Sequence, residues 1–491
     1  MTALTLNTSL ADTFYALASR YGDRPAMVSG QRTISYRQLA ESSARSARLF
    51  QEAGVRAGDR VGVALRDSVD VVLSLVGLWM ADAVAVSIDF RSRKEERETL
   101  ALEFDLAKVL EDRPNESNYA SIVFDSSWRE ALARKESGPL NSNISGKYPA
   151  LISLTSGTTG KPLGIVMRHH AILARALCYG LECDYPMGGR YLNAFPLSFS
   201  ASRNHTIGNL LRGATIYFHP PTFGAGELIE RANSIGATFL FAVPSTVKAM
   251  LEITPPAKGH AMPGLAMLYC GGSGMPSEDK LAAASRLTPG FLHCFSSSMT
   301  GTCSILMGAD LQARPDTDGR ILPMVRAEVV DDEDRIMPAG EVGAMRIRSH
   351  GMAERLYNDK ARDSGDKIRD GWAYTGDLAR ISADGFLSVV GRTSDMIIRG
   401  GANVYPAEVE AALVKHPHIK EAAVTGYSNL ELGEEIAAFV VTSMPLSEAD
   451  IVSHCRVTLP PDKRPRKFVF LESLPRNASG KVMIRELRDR L

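Results

Sequence analysis

The stretch LTSGTTGKPLGIV, from Leu154 to Val166, places glycine, serine and threonine residues with one lysine and one proline between two apolar runs. Glycines let backbone N–H groups converge on one point, while hydroxyl groups and a lysine add donors and a positive charge, so the composition is typical of a polyanion cradle. It is not a Walker loop, because Thr155 replaces the first glycine and Pro162 follows the lysine. A flexible linker is the alternative, but such linkers rarely lie tightly between apolar segments. We therefore predict a phosphate-binding loop.

The composition describes a globular chain without charge bias. Its 491 residues exceed one ordinary domain and predict about two or three structural units. Apolar residues make up 45% and charged residues 23%, as in globular proteins generally, and 56 basic residues balance 56 acidic ones. This balance gives no general attraction to nucleic acid or to an anionic membrane, so we predict neither as a partner.

Targeting and redox signals favour a cytoplasmic location. The N-terminus has no basic residue before Arg20 and no sustained apolar run, so a secretory signal is not predicted. The most apolar segment, Val71 to Ile88, is interrupted by Asp82 and predicts a buried helix followed by a buried strand, not a membrane span. The cysteines show no CxxC spacing, which suits a reducing compartment and does not suggest a metal site.

Two patterns follow each other along the chain. From Thr13 to about Leu110 helical periodicity alternates with short strand-like runs, which predicts parallel sheets covered by helices. The polar segment from Pro114 to Tyr148 predicts a surface connection. From about Ile321, branched runs separated by turn residues predict antiparallel hairpins. A helix is predicted from Pro406, and a domain boundary near Ser394.

Further blocks appear in a fixed order after the opening stretch. They are LYCGGSGMP (Leu268–Pro276), HCFSSSMTG (His293–Gly301), GWAYTGDLARISADGFLSVVGR (Gly371–Arg392), SDMIIRGGANVYPAEVEAAL (Ser394–Leu413) and LPRNASGKVMIRELR (Leu474–Arg488). Together with the glycine-rich stretch, this series resembles the adenylate-forming superfamily, which includes acyl- and aryl-CoA synthetases, peptide-synthetase adenylation domains and firefly luciferase.

The resemblance implies an α/β fold with two domains. Residues 1–393 would form a large N-terminal domain of two helix-covered sheets and a small β-barrel, and residues 394–491 a mobile C-terminal α+β domain. The implied reaction is ATP-dependent activation of a carboxylic acid to acyl-AMP with release of pyrophosphate, followed by thioesterification to coenzyme A. ATP, Mg²⁺ and coenzyme A are therefore the expected cofactors.

The resemblance also implies where the nucleotide binds. The implied ATP and AMP contacts are Thr155, Ser156, Gly157, Thr158, Thr159, Gly160, Lys161, Gly271, Gly272, Ser273, Phe295, Ser296, Ser297, Ser298, Asp377 and Arg392. The loop at 155–161 would hold the β- and γ-phosphates, and the Gly271–Ser273 turn would lie beside the adenine. Asp377 would accept hydrogen bonds from both ribose hydroxyls, for which an acceptor-only carboxylate is suited.

The C-terminal blocks supply the remaining implied roles. Lys481 would bridge the carboxylate and the α-phosphate and offset negative charge in the transition state. Ser394 would be the hinge about which the small domain rotates. Arg399, Gly400 and Gly401 would lie beside the thiol of coenzyme A, where glycines permit close approach.

The chain departs from the family pattern around the phosphates. Met299 replaces the Glu that normally helps to bind Mg²⁺, and a thioether is a poor ligand for a hard cation. Ser296 replaces a glycine, Leu163 a second lysine, and Ser394 a charged hinge residue. We therefore predict no protein side chain as a metal ligand. A nucleotide- or acyl-binding relative with impaired adenylation remains an alternative function.

The acid-binding side is less defined. Candidate acyl contacts are Phe199, Arg203, His205 and Cys270. Arg203 could clamp a second carboxylate and His205 could supply a donor; alternatively, both lie on the outer face of a helix. A small or medium, aromatic or polar acid is preferred, and a long-chain acid stays open. The acceptor is coenzyme A or, alternatively, a carrier protein or an amine; luciferase-like oxidation has no supporting feature, and homo-oligomer formation is left open.

Overall fold

The structure of the chain is a computed structural model. It describes residues 8–114, 117–140, 144–156, 162–183, 187–220, 222–255, 259–357, 367–476 and 482–491. For residues 155, 156, 162 and 179–182, only the course of the backbone is described.

The helices are numbered in chain order. They are α1 (Leu10–Tyr21), α2 (Tyr36–Glu52), α3 (Ser68–Met80), α4 (Lys94–Glu103), α5 (Ser126–Arg134), α6 (His169–Glu182), α7 (Ser200–Leu211), α8 (Ala225–Ile235), α9 (Pro244–Ile253), α10 (Ser277–Ala282), α11 (Gly308–Ala313), α12 (Pro406–Leu413), α13 (Glu448–Thr458) and α14 (Ile484–Arg488).

The strands are numbered in the same way. They are β1 (Pro25–Ser29), β2 (Arg32–Ser35), β3 (Arg60–Ala64), β4 (Val84–Ser87), β5 (Leu106–Glu111), β6 (Ser121–Val123), β7 (Pro149–Ser156), β8 (Pro162–Arg168), β9 (Arg190–Asn193), β10 (Thr215–Phe218), β11 (Phe239–Ala242), β12 (Met267–Gly271), β13 (Phe291–Ser297), β14 (Gly301–Met307), β15 (Arg320–Ile321), β16 (Val325–Val330), β17 (Gly343–Ser349), β18 (Arg355–Tyr357), β19 (Ile368–Arg369), β20 (Trp372–Ile381), β21 (Leu387–Arg392), β22 (Ile397–Arg399), β23 (Ala402–Val404), β24 (Ile419–Asn429), β25 (Gly433–Thr442) and β26 (Lys467–Phe470).

The described residues before Ser394 contain two large sheets. The first has the order β15-β14-β13-β12-β11-β9-β10-β1-β2, and the second β18-β8-β7-β4-β3-β5-β6. Strands joined through helices pair in parallel, as β3 with β4 and β11 with β12 do, whereas β13 pairs antiparallel with β14. The predicted helix-covered parallel sheets are confirmed.

Helix α3 is buried along almost its whole length because it is apolar on every side. Asp67 caps its first turn by accepting hydrogen bonds from two backbone N–H groups. The indole of Trp79 donates to the carbonyl of Ala150 at 2.8 Å, which satisfies its buried N–H group. With β4 following directly, the predicted buried helix and strand are confirmed.

The polar segment after Pro114 is more ordered than the sequence predicted. It contains β6 and α5, whereas we expected only a surface connection. Asp125 caps α5, and the Trp128 ring stacks on Phe50 and Phe124 with ring centroids 5.5 and 4.7 Å apart. A few aromatic contacts thus anchor a segment whose average polarity indicates a loop.

Two antiparallel sheets follow. The third has the order β16-β17-β20-β19 with β21 beside β20, and it corresponds to the expected small barrel. The fourth has the order β23-β22-β25-β24 with β26 beside β25, and α12 begins at Pro406 as predicted. The predicted hairpins are therefore confirmed. The position near Ser394 lies between these two sheets, and the domain boundary there stays a prediction.

Candidate active site

The glycine-rich stretch connects two antiparallel strands of the second sheet. β7 and β8 stay in register until Ser156 lies opposite Pro162. The predicted phosphate contacts outside the described residues are Gly157, Thr158, Thr159, Gly160 and Lys161. Thr155 is described only as backbone within β7, opposite Leu163. The Leu163 side chain is buried in the core, so the position of the family's second lysine is turned inward here.

The predicted adenine turn follows β12 directly. Gly271 ends this strand, and a Cβ atom there would lie 2.6 Å from the sulfur of Cys294 on the neighbouring strand. Gly272 has a φ of 103°, a conformation that favours glycine. Ser273 is exposed, and its carbonyl lies 3.3 Å from Nε2 of His293. The turn is therefore held on its buried side by Cys294 and His293, and its other side is exposed.

A buried polar network, absent from our sequence interpretation, supports this turn. His293 Nδ1 lies 3.8 Å from Asp318, whose other oxygen accepts the N–H of Val389 at 2.8 Å. Lys280 donates to the carbonyl of Thr317 at 2.8 Å. Burial lowers the pKa of His293 to about 3 and raises that of Asp318. The network connects the adenine turn to β21.

The block HCFSSSMTG (His293–Gly301) forms the end of β13 and the turn that follows it. Phe295, Ser296, Ser297 and Ser298 are all partly buried. Ser297 Oγ lies 2.8 Å from Thr300 Oγ1 across the turn. Met299 is buried in the large core, and its carbonyl accepts the N–H of Ala353 at 2.6 Å. The residue at the family's magnesium position therefore faces apolar neighbours.

Arg175 on α6 holds the same turn from the other side. Its Nη2 donates to the Ser298 carbonyl at 2.9 Å, and its Nε to the Gly351 carbonyl at 2.7 Å. The aliphatic part of Arg175 passes close to Gly301 and Gly351, where an added Cβ would lie 3.2 and 2.8 Å from it. Sequence analysis missed Arg175, although a single arginine inside the apolar run AILARALCYG is a signal that could have been used.

The predicted ribose residues lie opposite each other on β20 and β21. Asp377 pairs with Arg392 across the two strands, and Arg392 Nε lies 3.0 Å from the Asp377 carboxylate. Asp377 is only 4% exposed, whereas the arginine side chain is 45% exposed. The backbone N–H of Asp377 donates to Thr375 Oγ1 at 3.2 Å, and the contact with Arg392 holds the carboxylate. The hairpin thus presents a fixed acceptor.

The C-terminal candidates occupy the fourth sheet and the segment before it. Ser394 is exposed in a short helical turn and donates to Asp395 at 3.1 Å. Arg399 forms a two-bond ion pair with Glu435, at 2.6 and 2.9 Å. Gly400 and Gly401, with φ of 58° and 83°, form the tight turn between β22 and β23. Lys481 lies outside the described residues, and all these roles stay predictions.

Helix α7 separates the two polar candidates for acid binding. Arg203 points to the second sheet and donates to Ser87 Oγ at 2.8 Å and to Ser153 Oγ. His205 packs on the first sheet, with its ring centroid 4.4 Å from that of Tyr269. The alternative that both lie on an outer helix face is wrong, because Arg203 is 1% and His205 5% exposed.

The remaining acyl candidates differ in exposure. Phe199 precedes α7, is partly buried, and lies with its ring centroid 5.8 Å from the guanidinium of Arg91. Cys270 is fully buried in β12 with its sulfur 3.9 Å from that of Met275. Burial raises the pKa of Cys270 well above its usual value, so its thiol stays neutral and unreactive.

In the described ranges, no group of three or more His, Cys, Asp or Glu side chains is arranged to hold a metal ion. None of the described helices is both long and apolar enough to cross a bilayer.

The fold is that of a mixed α/β protein whose strands and turns carry the predicted nucleotide-binding residues. The AMP-binding enzyme family matches residues 14–357, and the AMP-binding enzyme C-terminal domain matches residues 408–481. The chain therefore belongs to the AMP-binding enzyme family. The predicted class, an enzyme that activates a carboxylic acid with ATP, is confirmed.

Relatives and solved structures agree with this membership. A 2-succinylbenzoate–CoA ligase of Bacillus cereus (strain AH820) is 28% identical over 95% of both chains. The fatty acid–[acyl-carrier-protein] ligase ScoC of Streptomyces coeruleorubidus is 29% identical over 95% of this chain and 93% of its own. ATP-bound MatB from Rhodopseudomonas palustris has the same fold, with a TM-score of 0.90, 22% identity and coverage of 98% and 99% of the two chains.

Proposed function

We propose that the protein converts a carboxylic acid and ATP to an acyl-AMP and pyrophosphate, and then transfers the acyl group to coenzyme A. The observation that carries the proposal is the buried Asp377 held by Arg392 on the adjacent strand. A carboxylate fixed in this way suits the two ribose hydroxyls of a nucleotide. Family membership over both parts of the chain supports the same reaction.

The chemistry proceeds in two displacements. A carboxylate oxygen of the acid attacks the α-phosphorus of ATP, and the bond from that phosphorus to pyrophosphate breaks. The sulfur of coenzyme A then attacks the acyl carbon, AMP leaves with the former carboxylate oxygen, and the thiol proton passes to solvent. In this proposal the stretch 155–161 binds the phosphates, and Lys481 offsets charge on the pentavalent phosphorus. In this proposal no protein side chain would hold Mg²⁺, which would enter with ATP and offset the negative charge of its phosphates.

The acid pocket is proposed to lie between α7 and the first sheet. His205 is surrounded there by aromatic rings, with centroids 4.4 Å from Tyr269, 5.0 Å from Phe241 and 5.3 Å from Phe239. Burial lowers the pKa of His205 to about 3, so the ring is neutral at physiological pH. Such a wall favours a small or medium acid with an aromatic group or another flat apolar part.

Coenzyme A is the proposed acceptor because the 2-succinylbenzoate–CoA ligases align over almost the whole chain. A carrier protein is the alternative, since the carrier-protein ligase ScoC aligns as fully. Supplying pre-formed acyl-AMP with either acceptor and measuring thioester formation distinguishes the two. We also propose a cytoplasmic location, in line with six cysteines that form no disulfide within the described residues. Self-association is not needed for this function.

A second candidate is a nucleotide-binding relative with impaired adenylation, favoured by the buried Met299. Carboxylate-dependent exchange of pyrophosphate into ATP across an acid panel tests both candidates. We expect robust exchange that is lost in Lys481→Ala. ATP binding without exchange for any acid would instead support the binding-only relative.

A further inference from the structure

Two buried arginines, Arg203 and Arg175, contact only neutral groups among the described residues. Arg203, which is 1% exposed, donates to two serine hydroxyls and to the carbonyls of Leu197 and Ser198 at 2.9 and 3.1 Å. Arg175, which is 7% exposed, donates to the carbonyls of Ser298 and Gly351. Within the described residues, neither guanidinium has a carboxylate within ion-pair distance, and both positive charges remain unbalanced.

Two other poorly exposed arginines, Arg97 and Arg346, are each neutralised by a carboxylate. Arg97 pairs with Glu111 at 2.7 Å, and Arg346 pairs with Glu328 at 2.7 Å. An unpaired buried charge is strongly unfavourable, so its presence at a cleft indicates a function that requires the charge. Burial lowers the pKa of Arg203 to about 9 and of Arg175 to about 10, and both therefore stay protonated at pH 7.

Both arginines lie behind segments that the family resemblance assigns to ATP. Arg203 binds Ser87, the last residue of β4, and Ser153 near the end of β7, which leads into the glycine-rich stretch. Arg175 binds the carbonyl of Ser298 in the turn after β13. The carboxyl ends of neighbouring parallel strands form the usual ligand edge of such sheets. Arg203 therefore lies behind strands of the second sheet that lead to the glycine-rich stretch, and Arg175 behind the turn after β13 of the first sheet.

Each of the two segments lacks one charged residue that the family pattern has. Leu163 stands where the family has a second lysine, and Met299 where it has the magnesium-binding Glu; both side chains are buried. The loss of a cation from one segment and of a metal ligand from the other leaves the phosphates of ATP less well neutralised. Fixed cations buried behind both segments are in a position to compensate, because charges act over longer distances in a protein interior than in water.

We infer that Arg203 and Arg175 are positioning residues for the polyphosphate of ATP, whose negative charge they offset from behind the nucleotide-binding segments. They act through the serine hydroxyl and carbonyl groups that they polarise, and do not touch the nucleotide. This inference rests on the proposed binding of ATP phosphates by the stretch 155–161. It differs from a clamp on a second carboxylate of the acid, which would require Arg203 to meet the substrate itself.

Binding of ATP and of AMP to the full chain, measured by calorimetry in the presence of Mg²⁺, tests the inference without turnover. In Arg203→Gln and in Arg175→Gln we expect the affinity for ATP to fall about tenfold, while that for AMP changes less than about twofold. Arg203→Lys, which keeps the charge, should stay within about threefold of the wild type for ATP. The matched control is Arg346→Gln, since its partner Glu328 retains Arg326, and it should leave both affinities unchanged.

Other outcomes of these measurements would overturn the inference. Equal losses for ATP and AMP, or no loss, would overturn the inference in favour of a structural role. The inference would also be overturned, in favour of the clamp, if Arg203→Gln raised the KM for a dicarboxylic acid more than the KM for its monocarboxylic analogue while the affinity for ATP stayed intact. If Arg203→Gln does not fold, as judged by its unfolding midpoint, Arg175→Gln decides alone. A wild type that binds ATP but shows no exchange would refute the proposed function and leave the ATP-to-AMP comparison valid.

Discussion

Buried charge is neutralised by an ion pair in the hairpin of β20 and β21, but not on helix α7. In the hairpin, Asp377 is neutralised by Arg392 on the adjacent strand. On α7, Arg203 is surrounded by hydroxyl and carbonyl groups alone. The hairpin is thus electrostatically complete before any ligand binds, whereas the region of α7 keeps a net charge that an anion can complete. Substitutions in the two regions should therefore fail in different ways.

The largest expected effect is on the hairpin. Asp377→Asn removes the negative partner of Arg392 and one ionic acceptor for the ribose, so acid-dependent exchange should fall about 100-fold. The measurement is the rate of pyrophosphate exchange with ATP and with 2′-deoxy-ATP. The wild type should prefer ATP and the variant should not. Asp384→Asn, an exposed acid in the turn of the same hairpin, serves as the control. A variant that still prefers ATP would contradict the proposed ribose contact.

Glu410 is a buried carboxylate and so resembles, with the opposite charge, the buried arginines Arg203 and Arg175. It accepts the Val424 N–H at 2.8 Å, and burial raises its pKa to about 7. Because the folded state binds the proton more tightly than the unfolded state, stability should decrease as pH rises from about 4.5 to about 7. Glu410→Gln should remove this loss and be more stable than the wild type at pH 8 by about 2 kcal/mol.

Denaturant unfolding of the wild type and of Glu410→Gln at several pH values checks this stability difference. Glu408→Gln is the matched control, since Glu408 is exposed and paired with Lys463. The effect of Glu408→Gln on the free energy of unfolding should not depend on pH between about 5 and about 8. A constant difference between Glu410→Gln and the wild type from pH 5 to pH 8 would show that Glu410 is already ionised.

The next effect concerns the face of α7 opposite to Arg203. His205→Leu removes a ring from the aromatic wall, so the KM for an aromatic acid should rise about tenfold while that for ATP stays constant. The wild-type KM for the acid should not change with pH between 5 and 8 through His205, because its pKa of about 3 keeps it neutral. Equal rises in both KM values would place His205 outside the acid pocket.

The smallest effect is expected at the network beneath the adenine turn. Asp318→Asn removes the carboxylate that faces His293 and accepts the Val389 N–H, so the KM for ATP should rise about fivefold through misplacement of the turn. Asp316→Asn, in the same loop, is the control. Titration of ATP at saturating acid measures the change. An unchanged KM for ATP with a lower unfolding midpoint would limit the network to a structural role.

The sequence predicted the order of the blocks and the architecture because these depend on local patterns. Turn residues between β20 and β21 indicated the hairpin, whereas the ribose roles of Asp377 and Arg392 came from the family resemblance and stay predictions. Arg203 and His205 were grouped wrongly on one face. Two residues along a helix correspond to a rotation of about 200°, so helical geometry alone could have placed them on opposite sides.

The contacts of Arg175 and Asp318 depend on tertiary structure and could not be predicted in the same way. Arg175 contacts the carbonyls of Ser298 and Gly351, which are more than a hundred residues away in the sequence. Asp318 is an ordinary loop acid until β13 and β21 bring His293 and Val389 to it. Only the enclosed position of Arg175 among apolar residues carried a local signal.

The turn between β13 and β14 is held at three successive carbonyls by three donors, one from α6 and two from the end of β17 and the residues that follow it. The carbonyls of Ser298, Met299 and Thr300 accept hydrogen bonds from Arg175, from the backbone of Ala353 and from Ser349 respectively. Anyone who grafts this turn from a relative to restore a magnesium ligand would need to transplant all three supporting positions with it. An isolated loop exchange would leave donors and acceptors mismatched and yield a poorly active chimera.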